Sequence, residues 1–359
     1  MIDKLVSLIP KDGRPYCEPY TGSLEISLAR QQALVERIRA IDLFCGIGGN
    51  SWGARNAGVE IVAGFDIWQA AGEIYQTNFP ESRFYLADLS DYRNTDIVRI
   101  KKEIGKIDLL LASPECTSHS LARGAKPKDE KSLRLSWEVW RFAQVFRPRW
   151  MVIENVPAMR NWSEYPKFLQ HLRKEGYHLR EQILDASQFG VPQSRKRLFI
   201  LCDSEAEPPE VFSTHQEPLP ARSFLHLNGT YPVSPLDKAG RARKTLERAE
   251  RAFEALGRNT PFLMVYYGSG TQWQTLDSPL RTVTTHNHFA LICLDGEGKH
   301  VMRMLQPDEL QAAMGFPPEF SLKACPTQSR KIHLLGNAVC PPVVTAIVQT
   351  LTSQTKRQP

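Results

Sequence analysis

Among the seven cysteines of this chain, Cys116 sits where a thiol can react. It lies in Ser113-Pro114-Glu115-Cys116-Thr117-Ser118-His119-Ser120, just past an apolar run, Ile107–Leu111, that reads as a β-strand. A thiolate is a strong nucleophile near neutral pH, so a cysteine at a strand end is a candidate for covalent catalysis. Glu154, in Ile153-Glu154-Asn155-Val156-Pro157, ends a second apolar run, and Gln193-Ser194-Arg195-Lys196-Arg197 borders a third. A carboxyl can hold or pass a proton, and guanidiniums bind anionic oxygens. Each residue has a plainer reading. A strand-end cysteine is more often inert, a glutamate there caps a helix or pairs with a base, and clustered arginines are usually solvated. Their joint occurrence at strand ends is what points to a reaction site.

A ligand turn precedes them. Asp42-Leu43-Phe44-Cys45-Gly46-Ile47-Gly48-Gly49 ends a strand and opens a helix, and its glycines let the backbone turn tightly and approach a ligand. Alone, such a turn is a weak signal. Asp66 follows about 20 residues later at the next strand end, where a carboxylate can accept hydrogen bonds from ribose hydroxyls. Asp88, with Leu89 beside it, ends the third strand. No Lys-Ser/Thr pair closes the loop as in a triphosphate site, so an adenosyl ligand is expected.

The elements that must position these groups are legible. Candidate strands are Ala40–Phe44, Glu60–Phe65, Arg83–Leu86, Ile107–Leu111, Trp150–Ile153, His178–Leu184 and Arg197–Cys202. Helical patterns such as Trp68–Asn78 and Trp137–Phe146 alternate with them. That alternation predicts an α/β fold with a doubly wound, mostly parallel sheet whose ligands sit at the carboxyl ends of its strands. Residues 1–203, with 336–359 returning, are expected to form this domain. Residues 204–335 are expected to form a smaller domain and hinge. There a Pro-, Ser- and His-rich stretch precedes a charged helix over Asp237–Leu256 and a strand over Phe262–Tyr267. Before Arg39, Leu24, Leu28, Val35 and Ile38 suggest an amphipathic helix packed on the sheet.

Composition bounds the setting. The 359 residues can bury a sizeable core, and a net charge of +6 is compatible with a polyanionic partner without requiring one. No secretory pattern occupies the first 40 residues and no uninterrupted apolar run reaches the ~18 residues of a membrane span. The cysteines form no C-x-x-C pair, which argues against a disulfide framework or zinc ribbon and for a reduced, cytoplasmic setting.

Taken in order, the motifs resemble those of the DNA cytosine-C5 methyltransferases from residue 41 onward. They are the DLFCGIGG turn, Asp66 with Asn78-Phe79-Pro80, Asp88, the cysteine loop, Glu154-Asn155-Val156 and Gln193-x-Arg195-x-Arg197. Arg281-Thr282-Val283-Thr284, Gly315-Phe316-Pro317 and Gly336-Asn337-Ala338-Val339 follow. The resemblance implies S-adenosylmethionine as cofactor, double-stranded DNA as partner, no metal, and a monomer on DNA with a possible cognate restriction endonuclease. It implies that Cys116 adds to carbon 6 of a flipped-out cytosine, after which carbon 5 attacks the sulfonium methyl. Glu154 would hold N3 and the exocyclic amine, Asn155 would brace the loop, and Arg195, Arg197 and Ser120 would support the base and its phosphates. Cofactor contacts by position are Phe44, Gly46, Ile47, Gly48, Asp66, Ile67, Asp88, Leu89 and Asn337.

Two positions depart from the pattern. Glu115 replaces the proline usual before the nucleophile, and it is expected to face away from Cys116, toward Arg123 or the DNA side. Ile67 stands where an aromatic residue is frequent, which implies a looser grip on adenine. Residues 204–280 would recognise the target, with Arg241, Lys244, Arg248 and Arg251 facing phosphates and Tyr266, Tyr267, Gly270 and Gln272 facing bases. The tRNA-methylating branch of the family and a catalytically silent DNA-binding paralogue are the alternatives.

Overall fold

The computed structural model describes residues 37–115, 130–227, 229–268 and 270–353. The chain divides into Met1–Arg37 and Ile38–Pro359, and only the second unit is described below. The expected helix through Leu24, Leu28 and Val35 lies outside the described residues.

The larger sheet has seven strands in the order β3-β2-β1-β4-β5-β7-β6. They are β1 (Arg39–Leu43), β2 (Glu60–Asp66), β3 (Arg83–Leu86), β4 (Leu109–Ala112), β5 (Trp150–Asn155), β6 (His178–Asp185) and β7 (Lys196–Asp203). Every residue of β4 and β5 is buried, which requires a sheet covered on both faces. Helices α1 (Gly49–Asn56) and α2 (Gln69–Asn78) cover one face, packing Trp52, Ile74 and Tyr75 over Leu111 and Val152. Helices α3 (Asn94–Ile104), α4 (Glu130–Phe146) and α5 (Tyr165–Lys174) cover the other, with Ile100, Phe142 and Phe168 over Leu110 and Ile153.

One strand runs against the rest. β7 pairs antiparallel with both β5 and β6, while the other pairs are parallel. The link from β6 to β7 is a short turn through residues 186–195, too short for the crossover of a dozen or more residues that a parallel neighbour needs. The reversal has a consequence for the site. It brings the start of β7, not its end, to the edge where the parallel strands finish.

The second sheet is antiparallel, in the order β10-β9-β11-β12-β8. Its strands are β8 (Ser234–Pro235), β9 (Phe262–Val265), β10 (Trp273–Thr275), β11 (Phe289–Leu294) and β12 (His300–Met304). Helix α6 (Arg243–Leu256) packs Ala249 and Phe253 on Phe262 and Ile292, while Leu263 and Leu291 on the opposite face join the larger sheet's core. This helix starts six residues later than the Asp237 expected, after a turn at Gly240, whose φ is 80°. In that turn the Arg241 guanidinium donates to the carbonyls of Leu236 and Pro235 and to Ser234, so it belongs to no helical face. A buried Arg303–Glu309 pair, 2.7 Å apart, ties β12 to α7 (Pro307–Ala313).

The chain closes with α8 (Gln328–Asn337) and α9 (Pro341–Thr352). Gln328–Thr352 is, taken together, long and apolar enough to cross a membrane. It is broken at residues 338–340, and α9 buries Val344, Ile347 and Val348 against α1, as a core helix does.

Candidate active site and cofactor turn

The turn after β1 is built on unusual backbone. Phe44 has φ 56°, Gly46 has φ 52° and Gly48 has φ 96°. Left-handed backbone at a residue with a side chain costs roughly 1–3 kcal/mol and persists only where its surroundings enforce it. Here Asp66 does part of that work. Its carboxylate accepts from Gly46 N at 2.8 Å and from Trp68 N at 2.9 Å, tying the turn to the end of β2. Burial raises the pKa of Asp66, and these amides oppose the rise. Each oxygen keeps a lone pair for a ligand hydroxyl.

Gly48 and Gly49 are required by packing. A Cβ on Gly48 would overlap the Phe79 ring, and one on Gly49 would overlap the carbonyl oxygen of Val339. The second clash is with backbone, which yields less readily than a ring. Gly49→Ala should therefore destabilise the protein by about 1–3 kcal/mol, seen as a lowered midpoint in denaturant unfolding. An unchanged midpoint would show that the α8–α9 junction can move away freely.

Beneath the turn lies a buried polar network that the sequence did not single out. Asp42, fully buried, accepts from Ser51 N at 3.1 Å, Ser51 Oγ at 2.7 Å and Asn50 Nδ2 at 3.3 Å. Burial pushes its pKa up to about 7, against the pull of those donors. Asn50 Nδ2 also donates to Ser113 Oγ at 3.1 Å, and that hydroxyl donates to the Phe44 carbonyl at 3.3 Å. An acid inside an apolar strand was the available signal.

The expected cofactor residues separate into two kinds. Ile67 is 65% exposed at the end of β2, and Asn337 is exposed at the end of α8. A Cβ at Gly46 would meet no atom of the described residues within 4 Å. Ile47 and Leu89 are 1% and 2% exposed, with side chains in the two core layers, so only their backbone is available to a ligand. Asp88 is half-buried and accepts from Ser90 N and Oγ in its own turn.

At the neighbouring strand ends, Glu154 is 8% exposed and its Oε1 lies 3.0 Å from Arg197 Nε. The register pairs Asn155 with Leu198, so the reversal of β7 is what sets Arg197 beside Glu154. Burial raises the Glu154 pKa, while the Arg197 and Arg195 guanidiniums oppose the rise. Asn155 Nδ2 donates to the Pro114 carbonyl at 3.1 Å, bracing the start of the cysteine loop. Glu115 is exposed, while Cys116, Ser120 and Arg123 lie outside the described residues.

Arg195 is placed differently from expectation. It is 4% exposed and donates to the carbonyls of Val283, Gly336 and Ala338 at 2.9, 2.9 and 3.1 Å. Gln193 joins it, donating to Ala313 O and accepting from Val283 N. This pair is a clamp between the larger sheet and the segments that return to it, and it holds both neighbours of Asn337. In the smaller sheet, Arg248 lies over the Tyr266 ring, Arg251 donates to Gln272, and Tyr267 donates to the Thr282 carbonyl.

The family described as C-5 cytosine-specific DNA methylase matches residues 38–353. The chain is 27% identical over 307 residues to Type II methyltransferase M.HgiDI of Herpetosiphon aurantiacus, covering 84% of this chain and 90% of that protein. It is 36% identical over 167 residues to Type II methyltransferase M.HindV of Haemophilus influenzae, covering 46% of this chain and 52% of that one. The S. pombe Dnmt2 methyltransferase structure shares the fold, with a TM-score of 0.65 at 20% identity over 89% of this chain and 99% of that chain.

Proposed function

The chain belongs to the C-5 cytosine-specific DNA methylase family, whose members depend on S-adenosylmethionine, and on that premise we propose that it methylates cytosine in a specific DNA sequence through Cys116. The observation that carries this reading is the meeting at one sheet edge of a glycine turn with a buried, arginine-paired glutamate.

The residues at the turn fit an adenosyl group. Asp66 has lone pairs for ribose hydroxyls, Ile67 offers an exposed apolar face, and the glycine turn lacks the Lys-Ser/Thr ending of a triphosphate loop. When bound, S-adenosylmethionine supplies an electrophilic methyl group. The chain's own residues prepare the base. Glu154 holds N3 and the exocyclic amine of cytosine, drawing electron density from the ring as the Cys116 thiolate adds at carbon 6. That addition makes carbon 5 nucleophilic. After methylation, the carbon 5 proton leaves and the thiolate is expelled. A base inside a duplex cannot reach this edge, so it is flipped out at a cost of a few kcal/mol. The unit over 204–335 recognises the target, with Arg248 and Arg251 beside Tyr266 and Gln272.

Bisulfite sequencing of plasmid DNA from an expressing cell tests the proposal. The expected result is protected cytosines within one recurring sequence. Fully converted plasmid DNA, with 5-methylcytosine found by nucleoside mass spectrometry in tRNA, would overturn it.

A further inference from the structure

We infer that Asn50 and Ser113 are positioning residues that couple the cofactor turn to the Glu154–Asn155 edge, so that a ligand in the turn tightens the grip on DNA. The inference rests on the proposed function for the identity of the two ligands, and on hydrogen-bond geometry for the link between their sites.

Donor capacity fixes the direction of the network. The Asn50 amide has two protons, one directed to Asp42 Oδ1 at 3.3 Å and the other to Ser113 Oγ at 3.1 Å. Ser113 accepts that bond, and its single proton is then directed to the Phe44 carbonyl at 3.3 Å. Upstream, Asp42 is held by Ser51, whose hydroxyl proton is committed to it, so Tyr75 OH donates to Ser51 Oγ across 2.9 Å. Downstream, Ser113 N donates to the Leu43 carbonyl, and the next residue's carbonyl, on Pro114, accepts from Asn155. Asn155 directly follows Glu154. A continuous set of bonds therefore runs from the strained Phe44 in the turn to the residue beside the buried glutamate.

Two features argue that this is more than scaffolding. Phe44 has φ 56° without being a glycine, so its peptide is held by neighbours and shifts when they do. Asn50 is 2% exposed, yet its Oδ1 has no hydrogen-bond partner among the described residues. A buried, unsatisfied carbonyl costs about 1–3 kcal/mol. An apolar side chain at position 50 would avoid that cost, so the amide is retained for its donors at some expense of stability.

The test uses the full chain, S-adenosylhomocysteine as a non-reacting ligand, and a fluorescent duplex carrying the sequence found by bisulfite mapping. DNA affinity is measured by anisotropy with and without saturating S-adenosylhomocysteine, and S-adenosylhomocysteine affinity alone by calorimetry. In the parent protein the ligand should tighten DNA binding by at least about fivefold, within the usual range of coupling between sites. Ser113→Ala should reduce this effect below ~twofold while each ligand alone still binds within ~threefold of the parent. Ser113→Thr keeps the hydroxyl and should restore the coupling. Asn50→Leu removes both donors and should behave like Ser113→Ala.

Full coupling in both Ser113→Ala and Asn50→Leu overturns the inference. So does a Ser113→Ala protein that folds but binds no S-adenosylhomocysteine, because the hydroxyl would then serve the turn alone. If Ser113→Ala fails to fold, Asn50→Leu decides by the same comparison, and failure of both would show a structural role only. A parent that binds both ligands without coupling sinks the inference and leaves the proposed function standing. A parent that binds neither overturns both.

Discussion

Replacing Glu154 by glutamine should lower the rate of methyl transfer by roughly 10²- to 10⁴-fold, the range for losing a positioned acid–base group. The chain should remain folded, because glutamine fills the same space and can still accept a hydrogen bond from Arg197. Its pH dependence carries a further sign. Burial raises the Glu154 pKa and the two guanidiniums restrain it. Activity that depends on a proton shared between this carboxyl and cytosine N3 is present below the folded-state pKa and is lost as pH rises through it. Arg197→Gln removes a restraining cation, so the pKa climbs further and the alkaline fall in rate moves to higher pH. In Glu154→Gln that fall should be absent. Single-turnover rates across pH measure all three proteins. A Glu154→Gln enzyme within a few-fold of the parent at every pH would remove the glutamate from the mechanism.

The second large effect is on stability. Arg195→Met leaves the carbonyls of Val283, Gly336 and Ala338 without the donor they now share. Each unsatisfied buried group costs about 1–3 kcal/mol, and water reaching the gap recovers part of the loss, so a net cost of roughly 3 kcal/mol is expected. For a unit of this size that lowers the melting temperature by roughly 4–5 °C. Arg195→Lys should rescue little, because a single ammonium cannot reproduce the planar fork that spans three carbonyls. Affinity for S-adenosylhomocysteine should fall as well, since the clamp holds the residues on either side of Asn337. Calorimetric melting and titration check both effects. A melting temperature within a degree or two of the parent would show that Arg195 is not the clamp the geometry describes.

The sequence by itself determined a great deal. Alternating apolar runs and helical patterns were enough for a doubly wound sheet, since strands as apolar as β4 and β5 are stable only when helices cover both faces. The glycine turn, Asp66 and Glu154 were placed at strand ends because chain order and turn chemistry are local properties.

What the tertiary structure decided is everything that depends on strand direction and burial. Residues ahead of β7 reach the reactive edge only because β7 runs backwards, a choice made by the short β6–β7 turn and invisible in the strand pattern. Arg195 and Arg197 stand two positions apart and look equivalent in sequence. One points into the molecule and closes the clamp, while the other faces Glu154. Ser113 lies more than 60 residues along the chain from Asn50 and meets it only because β1 and β4 are neighbours. A side chain's type states what it can donate or accept. Which partner it meets is set by strand order, and how strongly by the loss of water around it.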